Sequence, residues 1–215
     1  EIDPREAPED WPTGYLPLRK TEPYELPLKQ KQEGEVFRLN PGMVEWAYQL
    51  TKDVELMDNE EIRNMRAQYV NYPEAQKPPK VMKGDHLAAM TYWHGKMLNQ
   101  WANDWVKYWT GDQGNFVTSA MEDTGTAQAL EMLDKAGKVD KDRLLVLRTA
   151  SNFTMQYQGI TAAQSLSGEK LDGTVGYSAF IPSLEAAWRA GSKVVLELAS
   201  NWQQYENNLP AAGAQ

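Results

Sequence analysis

The run Gly114-Asn115-Phe116-Val117-Thr118-Ser119-Ala120-Met121-Glu122-Asp123-Thr124-Gly125-Thr126 limits the possible folds of this chain more than any other segment. Its first half has the aromatic and β-branched content of a short, half-buried strand. Its second half opens a helix whose apolar spacing continues to Leu133. Strands that pass directly into helices build α/β folds around a mainly parallel sheet. The junction carries Met121 and Glu122, and open α/β sheets bind ligands just beyond the carboxyl ends of their strands.

A carboxylate at that place is suited to accept hydrogen bonds from vicinal hydroxyls, as in holding a ribose. Downstream, Leu144-Leu145-Val146-Leu147 leads into Arg148-Thr149-Ala150-Ser151-Asn152. The spacing predicts a second strand over 143–150, with the Asn152 amide past its C-terminal end. One strand tip would meet a sugar and the other the edge of a nucleobase, so the pair points to a nucleoside.

The chain has 215 residues, enough for one domain with a substantial core. With 30 acidic and 22 basic side chains it carries a formal charge of -8, which argues against nucleic acid or an anionic membrane as partner. The most apolar stretch, Leu184 to Leu198, is interrupted by Glu185, Arg189, Lys193 and Glu197 and reads as an amphipathic helix, so no direct membrane insertion is expected. No signal peptide is visible at Glu1. The absence of cysteine excludes thiol chemistry and cysteine-based zinc sites. His86 and His94 show no metal-ligand spacing, so neither a metal nor a cofactor is expected. The 8 Trp and 10 Tyr are expected chiefly to fill a core and contact a partner.

Residues 1–40 form an extended, proline-rich arm. Prolines punctuate it as far as about Leu28, and its apolar side chains predict packing on a surface. A short strand is expected over 34–39 and a helix after Pro41, with Met43, Trp46, Ala47 and Leu50 on one face. A second helix is expected from an Asn59 N-cap to Tyr69. The pattern then predicts a loop over 73–79, a strand over 80–83, a turn or cap at Asp85 and an aromatic-rich helix over 91–109. A C-cap is expected at Gly137. Further helices are predicted over 161–166 and 182–205. The credible strands are few for a parallel sheet, which suggests that the missing strands belong to a separate N-terminal fragment or a second subunit.

Four segments in order carry a family resemblance. They are Ile2-Asp3-Pro4-Arg5-Glu6 with Trp11-Pro12-Thr13-Gly14-Tyr15; Gly84-Asp85 with Thr91-Tyr92-Trp93-His94-Gly95; Met121 through Thr126; and Leu147 through Asn152. Together they resemble the purine nucleoside permease family, which is similar in turn to the purine nucleoside phosphorylases. The resemblance implies a single domain over 1–215, the C-terminal portion of a nucleoside phosphorylase-like fold. That fold is a three-layer sandwich with a central mixed sheet. The likeness also implies that Met121 and Glu122 bind the ribose, that Asn152 faces the base with Ser151 beside it, and that Phe116 packs on the ring. His94 is a further candidate ligand contact.

The phosphate loops of the phosphorylases fall outside the matching region, and no catalytic residue is assigned. Asn152 can donate a hydrogen bond to a departing base but cannot protonate it as an acid. Two functions follow as expectations. One is purine nucleoside binding in uptake, and the other is cleavage of the N-glycosidic bond, with phosphate as co-substrate in the phosphorolytic case. By analogy the protein is expected to be periplasmic or secreted.

Overall fold

The computed structural model describes residues 2–3, 5–11, 13–28, 34–90, 92–167 and 179–211. In chain order its regular elements are α1 (Pro41–Thr51), α2 (Glu60–Ala67), β1 (Asp85–Ala88), α3 (Lys96–Thr110), β2 (Phe116–Ala120), α4 (Asp123–Lys135), a 3-10 turn at Lys141–Arg143, α5 (Ala162–Ser167), α6 (Phe180–Ser200) and α7 (Trp202–Tyr205). Contacts divide the chain into two compact units, one drawn from 1–38 and 84–141 and the other from 39–83 and 142–215. The architecture is mixed α/β, and the sheet among the described residues is a parallel pair.

In the first unit α3 is the crossover that parallel pairing of β1 and β2 requires. His86 lies opposite Thr118, Leu87 opposite Ser119 and Ala88 opposite Ala120, with an irregularity between Asp85 and His86. The Asp85 carboxylate accepts the Asn115 N–H at 2.6 Å, which places Asp85 inside the strand rather than in the expected turn or cap. Gly84 lets β1 approach β2, because a Cβ there would overlap the Val117 side chain. On α3, Ala102, Val106 and Trp109 are buried. Trp93, Trp101, Trp105 and Tyr108 stack ring on ring, at 4.8, 5.1 and 5.6 Å between successive centroids.

The arm packs on this column. The rings of Trp101, Trp105 and Tyr108 surround Tyr15, and Pro17 is fully buried. Helix α4 ends as the sequence predicts. Gly137 adopts φ +66°, its N–H reaches the Asp134 carbonyl, and the Lys138 N–H reaches Leu133, a Schellman closure.

In the second unit the Asn40 side chain caps α1 by accepting the N–H groups of Gly42 and Met43. Met43 and Trp46 are buried, and the Trp46 ring meets Tyr205 edge-on at 5.6 Å. The Asn59 side chain caps α2. Thr161 and Gln164 form a reciprocal capping box at the start of α5. Helix α6 buries Pro182, Ser183 and Ala190 and turns Phe180, Ile181, Leu184, Trp188 and Val195 to the exterior. Asn201 separates it from α7, so the expected helix over 182–205 is broken there.

Three expected strands are corrected. Residues 34–39 form a turn and an irregular stretch, and 80–83 are irregular, with pairing beginning at Asp85. Residues 144–150 are likewise irregular, with Val146 and Leu147 exposed. An apolar run becomes a strand only where a neighbouring backbone completes its ladder, and no ladder forms at these residues. The aromatic-rich helix begins at Lys96 rather than at 91, after Gly95 with φ +89°.

Candidate functional site

Because β1 and β2 run parallel, both chains leave the sheet at the same end, and the Ala89 N–H donates to the Ala120 carbonyl at 3.0 Å. The loop after β1 carries Tyr92, Trp93 and His94, and the turn after β2 carries Met121 and Glu122. The parallel pair therefore delivers His94, Met121 and Glu122 to one edge, the carboxyl end at which open sheets take ligands. Phe116 opens β2 at the other end, and five residues of extended chain put about 16 Å between it and Met121.

Glu122 occupies the N-cap position of α4, yet its side chain does not cap the helix. Met121 and Glu122 are both exposed. The adjoining helix N-terminus favours negative charge. The arrangement presents an anionic, acceptor-only group to solvent at a strand tip, the chemistry suited to a pair of hydroxyl donors.

His94 is half-buried, and loss of hydration lowers its pKa below the ordinary histidine value, which favours the neutral ring. Neither ring nitrogen has a hydrogen-bond partner among the described residues. A neutral imidazole donates through one nitrogen and accepts through the other, so it suits hydroxyls and heterocycles alike. The ring stacks on Tyr92 at 6.2 Å.

One member of this region escaped the sequence reading, which weighed His86 only for metal spacing. His86 Nδ1 lies 2.9 Å from Thr118 Oγ1, and its Nε2 lies 2.6 Å from Asp123 Oδ2. The side chain thereby joins β1, β2 and α4. The signal needed was the strand register, because the residues involved are far apart in sequence.

Asn152 and Ser151 belong to the second unit and lie in an irregular segment rather than at a strand end. The Ser151 hydroxyl donates to Asn152 Oδ1 at 3.1 Å, and Asn152 Nδ2 donates to the Phe153 carbonyl at 3.3 Å. The segment is anchored by aromatic packing. The Phe153 ring lies 4.2 Å from that of Tyr69, whose hydroxyl donates to the Met155 carbonyl at 2.9 Å. Among the described residues, no three His, Asp or Glu side chains form a group that could hold a metal ion. No helix there is long and apolar enough to cross a membrane.

These features define an α/β protein with exposed polar chemistry at the carboxyl end of a parallel strand pair. The chain belongs to the purine nucleoside permease family, whose model matches residues 1–210. It is 30% identical over 199 residues to a purine nucleoside permease of Candida albicans, across 92% of this chain and 47% of that protein. It is 24% identical over 212 residues to a probable purine nucleoside permease of Schizosaccharomyces pombe, across 95% and 59% respectively. The chain spans about half the length of the curated relatives it matches. No solved structure matches it.

Proposed function

We propose that this chain recognises purine nucleosides as part of a nucleoside uptake protein, with Glu122 accepting hydrogen bonds from the two ribose hydroxyls. The supporting observation is the Glu122 carboxylate, exposed at a parallel strand tip beside a helix N-terminus that it does not cap. Family membership supplies the ligand class. Met121 flanks the sugar, and Asn152 and Ser151, in the second unit, stay separate candidates for contact with a base. Phe116 lies a strand length from the tip, so the aromatic loop at 92–94 is the better-placed source of a stacking ring. The transport role is capture and handover, in a periplasmic or secreted setting.

The wider fold in this reading is a nucleoside phosphorylase-like three-layer sandwich, completed by further polypeptide or a second subunit. Two observations support it: parallel sheets are normally covered on both faces, and the curated relatives are about twice as long as the matched region.

Calorimetric titration with inosine and adenosine tests the reading. Wild-type chain binds, and Glu122→Ala weakens binding about 10- to 100-fold, the worth of one or two charge-assisted hydrogen bonds. Equal affinity of the two proteins rules out the assignment.

The neutral His94 at the same edge supports a second reading, cleavage of the N-glycosidic bond by phosphate or water. Incubation with inosine, with and without phosphate, decides between them. Release of hypoxanthine that Glu122→Ala abolishes selects the enzyme, and binding without release selects capture.

A further inference from the structure

The Glu122 carboxylate can serve a diol only if the β2–α4 junction holds one geometry, and its own side chain does not supply the usual capping bond. His86 contacts this junction from the neighbouring strand. It sits on β1 directly opposite Thr118, so the register alone brings its Nδ1 to 2.9 Å from the threonine hydroxyl. Its other nitrogen reaches past β2 to Asp123, the first residue of α4 and the immediate neighbour of Glu122, at 2.6 Å. The side chains of His86 and Asp123 are 14% and 20% exposed, so the contact is sheltered from water and loses little to screening.

The chemistry of the link is specific. A carboxylate at that distance favours a proton on Nε2, because a bare nitrogen lone pair there would repel it; the oxygen lies off the line of a hydrogen bond, so the link is an electrostatic contact. The neutral ring then has an unprotonated Nδ1, which accepts the Thr118 hydroxyl proton. In the imidazolium both nitrogens carry protons, and the same hydroxyl turns to accept. Thr118 can take either role, so the bridge survives in both protonation states. Alanine at 118 would remove that adaptability.

We propose that His86 is a positioning residue for ligand binding: by holding Asp123 against β1 it fixes the adjoining Glu122 in the orientation that meets the sugar hydroxyls. This inference rests on the proposed ribose role of Glu122. It assigns the diol-binding geometry to a three-element clamp of His86, Thr118 and Asp123.

The test uses the 215-residue chain with inosine and 2′,3′-dideoxyinosine as probes. The ratio of their dissociation constants reads the hydroxyl contribution separately from the base. His86→Ala should lower that ratio about tenfold, the scale of one charge-assisted contact. His86→Gln, whose amide N–H can still reach Asp123, should restore most of it, which a merely structural role would not predict. Asp123→Ala should match His86→Ala, with the double variant no worse than either single one.

A ratio unchanged in His86→Ala but abolished in Glu122→Ala overturns the clamp and leaves the ribose reading standing. A wild-type ratio near one overturns both. If circular dichroism shows that His86→Ala does not fold, Asp123→Ala carries the comparison, and an unchanged ratio there overturns the clamp.

Discussion

Tyr15 meets Trp105 edge-on, with 5.6 Å between ring centroids and 71° between ring planes. This contact fastens the proline-rich arm to α3. Edge-to-face geometry sets the positive rim of one ring against the negative face of the other. The arm has no regular secondary structure among its described residues, so side-chain burial holds it in place.

Tyr15→Ala should therefore destabilise the protein by about 3–5 kcal/mol, the usual cost of emptying a buried aromatic site. Urea unfolding reads this directly. The same variant should be cut by trypsin in the arm, after Arg19 or Lys20, faster than wild type in native buffer. Equal cleavage rates would show that the arm does not depend on this anchor.

Two glycines should respond in opposite senses to the same change. Gly84→Ala places a methyl group in the Val117 side chain and forces β1 away from β2, at a cost of about 1–3 kcal/mol. Gly125 lies within α4 with nothing within 4 Å of an added Cβ. Gly125→Ala should stabilise by about 0.5–1 kcal/mol, through a less disordered unfolded chain. Thermal melts of the two variants check both signs.

Acid stability should depend on Asp58. The Arg66 guanidinium grips its carboxylate at 2.5 and 3.1 Å and, with Arg63 nearby, holds its pKa below the ordinary 3.8. A depressed folded-state value stabilises the fold above the unfolded value, and that contribution is lost as pH falls through the folded one. The difference in urea midpoint between wild type and Asp58→Asn should be constant from neutral pH down to about pH 5 and shrink below pH 4. A difference that persists at pH 2 would contradict the ion pair.

Alkaline stability should depend on Tyr69. Burial, with smaller contributions from Tyr157 and Tyr72, raises its phenol well above the ordinary 10.0. The unfolded chain then loses the proton before the folded one does, so stability falls as pH rises past the ordinary value. Tyr69→Phe forfeits the hydrogen bond to Met155, about 1 kcal/mol at neutral pH, and should show a shallower alkaline decline than wild type. Unfolding curves at pH 7, 9 and 11 give the comparison.

What was legible in the sequence depended on the range of the forces involved. The Asn59 cap and the Gly137 closure rest on bonds spanning a few residues, and both were readable. So was the strand-to-helix step that places Glu122 at a tip, because side-chain periodicity changes there. Residues 144–150 misled because an apolar run looks the same whether or not another backbone pairs with it. Conversely, Asp85-His86-Leu87-Ala88 has little intrinsic strand preference and is a strand through its ladder with β2. The His86–Asp123 contact follows from that register, so it was hidden until the strands were aligned.

The shared direction of β1 and β2 divides mutational tolerance unevenly along the first unit. Changes near Gly84 and Asn115, where both strands begin, tax the ladder and will be scored as poor expression. Changes where the strands finish leave the ladder whole, so a randomised library restricted to 92, 94, 121 and 122, which leaves the buried Trp93 and the left-handed Gly95 in place, samples new specificities with few members lost to misfolding.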